Sequence, residues 1–130
     1  MAQRGIAEQP EPAGDLASAV RELATAEVVA FGGVGLAGQV LPPTAAYQRI
    51  EAALPHRAEE IRPQLDWLLA NGSPAGRTYA ATLLDRVDPA AARAAWRSVL
   101  GDQAGFTTFS GCVMGQTTLG EYAAYQLDGD

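Results

Sequence analysis

The sequence has no lysine, one cysteine and one histidine. With a single cysteine, Cys112, the chain cannot form a disulfide within itself. Cys112 and the single histidine, His56, are too few to make a metal site of thiolates and imidazoles. A site of carboxylates alone needs several aligned acids, and no such arrangement stands out in the sequence. We therefore expect neither a metal nor a cofactor.

Positive charge is scarce as well. All nine basic residues are arginines, fifteen residues are acidic, and the formal net charge is −6. A protein that binds nucleic acid needs a basic surface to replace the counterions. We therefore expect no nucleic-acid partner and no anionic membrane partner.

Long hydrophobic runs are also missing. The longest apolar stretch, residues 28–41, is too short for a membrane-spanning helix and contains four glycines. Residues 1–14 lack the apolar core of a signal peptide. These features predict a cytoplasmic protein.

What is present favours a small helical protein. The chain has 130 residues, 48% of them hydrophobic, and it is rich in alanine, the residue with the highest helix propensity. A chain of this length buries enough surface to fold without cross-links. We predict a single helical domain over residues 14–130, preceded by a disordered lead at residues 1–13.

Apolar side chains at helical spacing predict an all-α fold of about six helices. Pro55 is expected to end the second helix, and Pro63 is expected to lie in the first turn of the third. The predicted helices cover approximately residues 15–30, 44–54, 62–71, a pair within 74–100, and 119–127.

The pair within residues 74–100 has the clearest boundaries. Ser73-Pro74 and Asp88-Pro89 each combine a side chain that caps a helix with a proline at the first helical position. The linker between the two helices is so short that they must fold back on one another as a hairpin.

Residues 106–117 depart from the helical pattern. Phe106 to Phe109, together with Val113, favour extended backbone, and Gly111 and Gly115 interrupt it. One or two short strands, or an ordered loop, fit this composition. Thr118 is followed three residues later by a glutamate, which is a capping box that starts the last helix.

A glycine-rich segment, residues 32–38, contains the spaced glycines of a dinucleotide site at Gly33, Gly35 and Gly38. Such a site requires a helix that begins at the last glycines and faces the pyrophosphate. Two consecutive prolines follow within five residues of Gly38 and leave that helix about one turn. We interpret the segment as a connector between packed helices, and its three glycines remain candidates for ligand binding.

Cys112 is a candidate nucleophile. Flanking glycine would leave its sulfur accessible and close to unpaired backbone N–H groups, which lower the pKa of a thiol. A cysteine nucleophile also needs a base, and His56 is the one imidazole available. The alternative is a buried cysteine that acts as a small apolar residue.

Three arginines form a possible anion-binding patch. Arg93 and Arg97 lie four residues apart on one face of the second helix of the pair, and Arg77 lies on the first. Planar guanidinium groups pair well with oxyanions. The alternative is that these arginines form the solvated outer face of the hairpin.

The segment that runs from Ser73-Pro74 to Leu100 resembles the helical-hairpin units of HEAT-type repeat proteins, in which two helices of about a dozen residues pack through small side chains. Residues 45–100 would cover about two such units. The stretch 72–77, with Ser110-Gly111-Cys112 downstream, also resembles small bacterial proteins of unassigned function. The HEAT resemblance implies a helical scaffold of the kind that commonly binds other proteins, and it implies no catalytic residue.

Three functions follow from these features, the last of them a structural subunit of a larger complex. The first is a non-enzymatic interaction or regulatory module whose partner is another protein, with a homo-oligomer left open. The alternative is a small enzyme or small-molecule-binding protein with a pocket near Cys112 and the glycine-rich segment 32–38. The alternative gains if residues 31–38 and 110–116 line one cleft together with Cys112 or an arginine.

Overall fold

The computed structural model describes residues 16–128, so the disordered lead predicted at residues 1–13 lies outside the described part of the chain. Both helices and strands occur along it, with three consecutive helices in the middle and two consecutive strands before the last helix. The elements are α1 (Leu16–Ala24), β1 (Val28–Val29), α2 (Pro42–Asn71), α3 (Pro74–Leu84), α4 (Pro89–Ser98), β2 (Gly105–Ser110), β3 (Val113–Thr118) and α5 (Leu119–Asp128).

The prediction of an all-α fold with about six helices is wrong. The described residues form five helices and a three-stranded mixed sheet in the order β1-β2-β3. β1 runs parallel to β2, with Val28 opposite Thr107, and β3 runs antiparallel to β2. Val28 and Val29 are not the end of the first helix, as predicted. These β-branched residues form a strand that pairs with Thr107 and Thr108.

The hairpin of β2 and β3 turns through only two residues, Gly111 and Cys112, since Ser110 pairs with Val113. Gly111 has a φ of +62°, which a residue with a side chain rarely adopts. A glycine at the first position of a two-residue loop is typical of the type II′ turn, whose twist matches that of the strands. The strand-favouring composition of residues 106–117 therefore produces a full hairpin.

Two helices predicted as separate form one helical span. α2 continues from Pro42 to Asn71 through both Pro55 and Pro63, with non-helical backbone at Arg57 (φ −134°, ψ 34°). The Arg57 guanidinium contacts both carboxylate oxygens of Glu60 at 2.9 and 3.0 Å, one turn beyond the kink. Proline removes a backbone hydrogen bond and bends a helix. Here the helical backbone is interrupted at Arg57, two residues after the end predicted at Pro55, and it resumes directly after that residue.

The predicted pair of helices within residues 74–100 is confirmed as α3 and α4. The Ser73 hydroxyl accepts a hydrogen bond from Gly76 N–H (3.1 Å), and the Asp88 carboxylate accepts one from Ala91 N–H (3.0 Å). Each cap is followed by proline at the first helical position.

The HEAT-type architecture is corrected along with the fold class. Residues 42–71 form the single kinked helix α2, so the hairpin of α3 and α4 has no second copy beside it. It packs against α2 most extensively, and also against α1, β1 and α5. Repeat proteins bury their core by stacking similar units, and this chain buries it between unlike elements.

The main core lies where α1, α2 and α3 meet beneath the sheet, and Leu23, Leu65 and Tyr79 are fully buried in it. Gly76 lies against the backbone carbonyl of Leu23, so α3 approaches the end of α1 more closely than any side chain would allow. A smaller cluster around Trp96 joins α3, α4 and α5. Within residues 16–128, none of the helices combines the length and apolar character that crossing a membrane requires.

Candidate functional site

The two glycine-rich segments that interrupt the helical pattern meet in space. Gly35 N–H donates a hydrogen bond of 3.0 Å to the carbonyl of Gly111, at the turn of the β2–β3 hairpin. Residues 34–39 themselves form a tight loop, because Val34 and Gln39 exchange backbone hydrogen bonds of 2.8 and 2.9 Å. Two turns from distant parts of the sequence are thus held side by side.

A cleft of about 660 Å³ lies next to this contact, between the sheet and α5. Phe31 lines it from the edge of the glycine-rich segment, and Ser110 lines it from the edge of the hairpin turn. The full set of lining residues is Val29, Phe31, Thr108, Phe109, Ser110, Thr117, Glu121, Tyr122 and Tyr125.

The floor of the cleft is one face of the sheet. Side chains alternate between the faces of a strand, so Thr108 and Ser110 share a face with Phe106, which is buried. Thr117 joins this face because it lies opposite Phe106. Gly115 lies opposite Thr108, and a side-chain carbon there would come within 3.0 Å of the Thr108 hydroxyl. The inner face of the sheet therefore presents small hydroxyl-bearing side chains to the cleft.

α5 forms the opposite wall, and its start is fixed by the cap predicted at Thr118, whose hydroxyl accepts a hydrogen bond from Glu121 N–H (3.1 Å). Glu121, Tyr122 and Tyr125 of this helix line the cleft. Tyr125 lies three residues after Tyr122 and four after Glu121, the spacings of neighbouring positions on a helix. The Thr117 hydroxyl donates to the Glu121 carboxylate at 3.3 Å. This contact holds the carboxylate at the edge of the cleft.

Aromatic packing fixes the walls. The ring of Tyr122 lies 5.7 Å from the ring of Phe106 and 5.7 Å from that of Trp96. Phe31 makes edge contacts with Tyr47 at 5.0 Å and with Tyr79 at 5.5 Å. These centroid distances are those of favourable aromatic pairs, so the rings at the cleft are backed by fixed neighbours.

The phenol of Tyr122, in the wall of the cleft, has a shifted pKa. Burial raises the pKa of its phenol above 10.0, and the phenols of Tyr47 and Tyr79 raise it further. Its hydroxyl forms no hydrogen bond with any other residue in the part of the chain that the structure describes. The hydroxyl is not among the buried atoms that lack a partner, so it reaches the solvent in the cleft, where a bound molecule can form a hydrogen bond with it.

Cys112 and His56 are not brought together at this site. Cys112 occupies the second position of the hairpin turn and is exposed, so the alternative of a buried apolar cysteine is wrong. His56 is exposed beside the kink of α2. Neither residue lines the cleft.

Within residues 16–128, no contact joins the three candidate arginines to one another. Arg77 donates to the carbonyl of Gly72 at 2.9 Å and faces Asp102 at 3.9 Å, so its charge is engaged locally. Arg93 lies in a small pocket with Asp85. Arg97 is exposed in the last turn of α4.

The glycine spacing of residues 33–38 reflects a turn and not a phosphate site. Gly35 and Gly38 have positive φ angles of 71° and 65°, and they flank the tip of the loop. A side chain at Gly33 would meet the carbonyl of Gly38 at 2.5 Å. The next helix begins only at Pro42, so its N-terminus does not follow the glycines directly as the dinucleotide motif requires.

Sequence analysis missed Glu121, Tyr122 and Tyr125 as site residues, although it predicted the helix that carries them. The available signal was the placement of two tyrosines and a glutamate on one side of a short helix that follows directly after a strand-like segment. Among residues 16–128, no group of three or more histidine, cysteine, aspartate or glutamate side chains is positioned to hold a metal ion. No protein-family model matches the chain, and no curated protein or solved structure matches it either.

Proposed function

We propose that this protein is a non-catalytic binding module that holds a small, largely apolar molecule in the cleft between the sheet and α5. The observation that carries the proposal is the cleft itself. Phe31 and Ser110 line it from the ends of the two glycine-rich segments, while neither Cys112 nor an arginine lines it. Its volume of about 660 Å³ is in the range of known ligand sites, which are mostly apolar with a few placed polar groups.

The polar groups at the cleft are suited to binding. The hydroxyls of Thr108 and Ser110 line the floor, and the unpaired hydroxyl of Tyr122 lies in the wall. Such groups orient a ligand by hydrogen bonds while the aromatic side chains supply contact area.

Catalysis is not part of the proposal, because the lining residues include no thiol, imidazole or amine. The nucleophile and base that sequence analysis put forward, Cys112 and His56, both lie outside the cleft. A cytoplasmic location and the lack of a nucleic-acid partner stay predictions from the sequence.

The proposal is tested by filling the cleft from the sheet. Ser110→Trp places a large ring on the cleft face of β2. Gln116→Trp places the same ring on the opposite face of β3, since Gln116 lies opposite Thr107, which points away from the cleft. A library of small aromatic compounds is screened by ¹⁵N NMR against the native chain, and the hits are titrated into both variants.

We expect the hits to shift the amide signals of residues 108–110 and 121–125. Ser110→Trp should abolish this binding, and Gln116→Trp should preserve it. The proposal fails if no compound at millimolar concentration shifts these signals, or if Ser110→Trp binds the hits as well as the native chain does.

A second function, protein binding, is favoured by a separate surface. Leu36, Val113 and Met114, hereafter the apolar tip, are 100%, 70% and 61% exposed at the two joined turns. β3 is the edge of the sheet, and its outer side pairs with no other strand of residues 16–128. Its six residues contain no charge and no proline, the features by which proteins usually block edge pairing.

An extended basic segment of another protein is the partner that this edge favours. Backbone groups of Met114 and Gln116 point outward, because Val113, Gly115 and Thr117 are the residues that exchange hydrogen bonds with β2 next to a two-residue turn. A strand added here gains backbone hydrogen bonds and apolar contacts. The net charge of −6 favours a basic sequence over an acidic one.

A peptide of alternating valine and lysine tests this second function against one of alternating valine and glutamate. The basic peptide should protect the amides of Met114 and Gln116 from hydrogen exchange. Met114→Lys should weaken this binding, and Val87→Lys, at an exposed apolar site elsewhere, should not. Equal protection by both peptides would overturn the choice of partner, as would a dimer at micromolar concentration in light scattering.

A further inference from the structure

The residues that line the cleft carry a single formal charge, and it is negative. Glu121 is the one side chain with a formal charge at neutral pH among the residues that line the cleft. Its carboxylate accepts a hydrogen bond from Thr117, and no arginine of residues 16–128 forms an ion pair with it. Within residues 16–128, the negative charge at the edge of the cleft is therefore not neutralised by an ion pair.

Aromatic rings adjoin this carboxylate. Tyr122 follows Glu121 directly, and Tyr125 lies one helical turn beyond it, with 77% of its surface exposed. Phe31 faces them from the other side of the cleft. The faces of aromatic rings carry partial negative charge and attract cations, most strongly where water is excluded.

The N-terminus of α5 offers no compensating site for an anion. Its first three N–H groups are all used within the chain. Leu119 N–H donates to the carbonyl of Ala104 (2.9 Å), Gly120 N–H to that of Asp102 (2.8 Å), and Glu121 N–H to the Thr118 hydroxyl (3.1 Å). An anion at this end of the helix would find the donors occupied.

We infer that the cleft selects a cation with apolar substituents, of the alkylammonium or arylammonium class, over neutral and anionic molecules of similar shape. The inference rests on the proposed ligand-binding function and adds the charge of the ligand to it. Glu121 supplies the opposite charge, and Phe31, Tyr122 and Tyr125 surround the apolar substituents. The hydroxyls of the sheet face lie beyond the charged group and contact the rest of the ligand.

Three probes of similar size separate charge from shape: benzyltrimethylammonium, benzyl alcohol and phenylacetate. Each is titrated into the native chain, and the dissociation constant is taken from the amide shifts of residues 108–110 and 121–125. We expect the cation to bind about tenfold more tightly than the alcohol, and the carboxylate to bind most weakly. Added salt should weaken the cation more than the alcohol.

Glu121→Gln removes the charge and keeps the shape and the acceptor for Thr117. It should weaken the binding of benzyltrimethylammonium about fivefold or more and leave the binding of benzyl alcohol unchanged. Glu22→Gln changes the net charge equally at an exposed position on α1, and it should affect neither probe.

The possible failures are distinct. If the alcohol or the carboxylate binds at the cleft as tightly as the cation, the inference is overturned and the ligand-binding function stands. The same holds if neutral compounds of the library bind and the cation does not. If neither the three probes nor the library shifts the cleft signals, both proposals fall.

Discussion

The hydroxyl of Tyr79 donates a hydrogen bond of 3.0 Å to the carbonyl of Ala30 and accepts one of 2.9 Å from the N–H of the same residue. Both residues are buried. The Ala30 carbonyl accepts a second hydrogen bond from the Thr44 hydroxyl at 2.6 Å. One side chain of α3 thus fixes the backbone between β1 and Phe31, and so fixes one wall of the cleft.

Tyr79→Phe should destabilise the protein by about 1–3 kcal/mol, because it leaves the buried N–H of Ala30 without an acceptor. Urea unfolding measures the change. Tyr125→Phe is the matched control. Because Tyr125 is exposed, this variant should lose only a few tenths of that stability. Equal stability of Tyr79→Phe and the native chain would contradict the role assigned to this hydroxyl.

Stability should fall as the pH rises above about 10. Burial raises the pKa of the phenols of Tyr47, Tyr79 and Tyr122 above their ordinary value of 10.0. The folded state then binds more protons than the unfolded state, so the stabilisation is fully present below pH 10.0 and is lost as the pH rises through the folded pKa values. Because the chain has no lysine, no side-chain amine titrates in the same window.

Urea unfolding at pH 8 and at about pH 10.5 measures this loss, and tyrosinate absorbance reports the ionisation itself. Tyr79→Phe should show a smaller loss between the two pH values than the native chain. A native chain as stable at the higher pH as at the lower would contradict the prediction.

Gly76→Ala should destabilise the protein although it adds the best helix former to a helix. The new methyl group would overlap the carbonyl oxygen of Leu23, and relieving that overlap forces α3 away from α1 at a cost of about 1–3 kcal/mol. Gly101→Ala is the matched control, because open space surrounds Gly101. Thermal unfolding of the two variants should separate them by several degrees, with Gly101→Ala close to the native chain.

Gly111→Ala should cost about 1–2 kcal/mol because its φ of +62° is unfavourable for a residue with a side chain. The amide of Gly35, which donates to the Gly111 carbonyl, should also exchange its hydrogen faster. Gly32→Ala serves as the control, since it too has open space around it but no positive φ. Similar unfolding free energies for both variants would rule out backbone strain at the turn.

Local signals in the sequence predicted local structure. Ser73, Asp88 and Thr118 each cap a helix by bonding an N–H three residues away, so the sequence around each residue is sufficient to place the cap. The sequence also marked Gly111 as an interruption of the extended segment, but it left open whether short strands or an ordered loop surround it. Pro55 was expected to end a helix, and the helical backbone is interrupted two residues later, at Arg57. The chain resumes a helix at once, and both halves bury side chains, Ile50 and Ile61, in the same core.

The missed features depend on partners far along the chain. Val28 and Val29 become a strand only because Thr107 and Thr108 are available to pair with them. That pairing brings Val29 and Phe31 beside the β2–β3 hairpin, where they line the cleft opposite Tyr122. The site was therefore not predictable from residues 119–127, even though their helix was.

The parallel pairing of β1 with β2 also has a consequence for the order of folding. The β2–β3 hairpin and the α3–α4 pair join neighbouring segments and can form early. β1 instead pairs with a strand far along the chain, since Val28 lies opposite Thr107. Contacts between distant segments form slowly, because closing a long loop costs entropy before any contact repays it. Val29 and Phe31 line the cleft from one end of this long loop, and the β2–β3 hairpin and α5 line it from the other. We therefore expect the side of the cleft that Val29 and Phe31 line to form later in folding than the side that the hairpin and α5 provide.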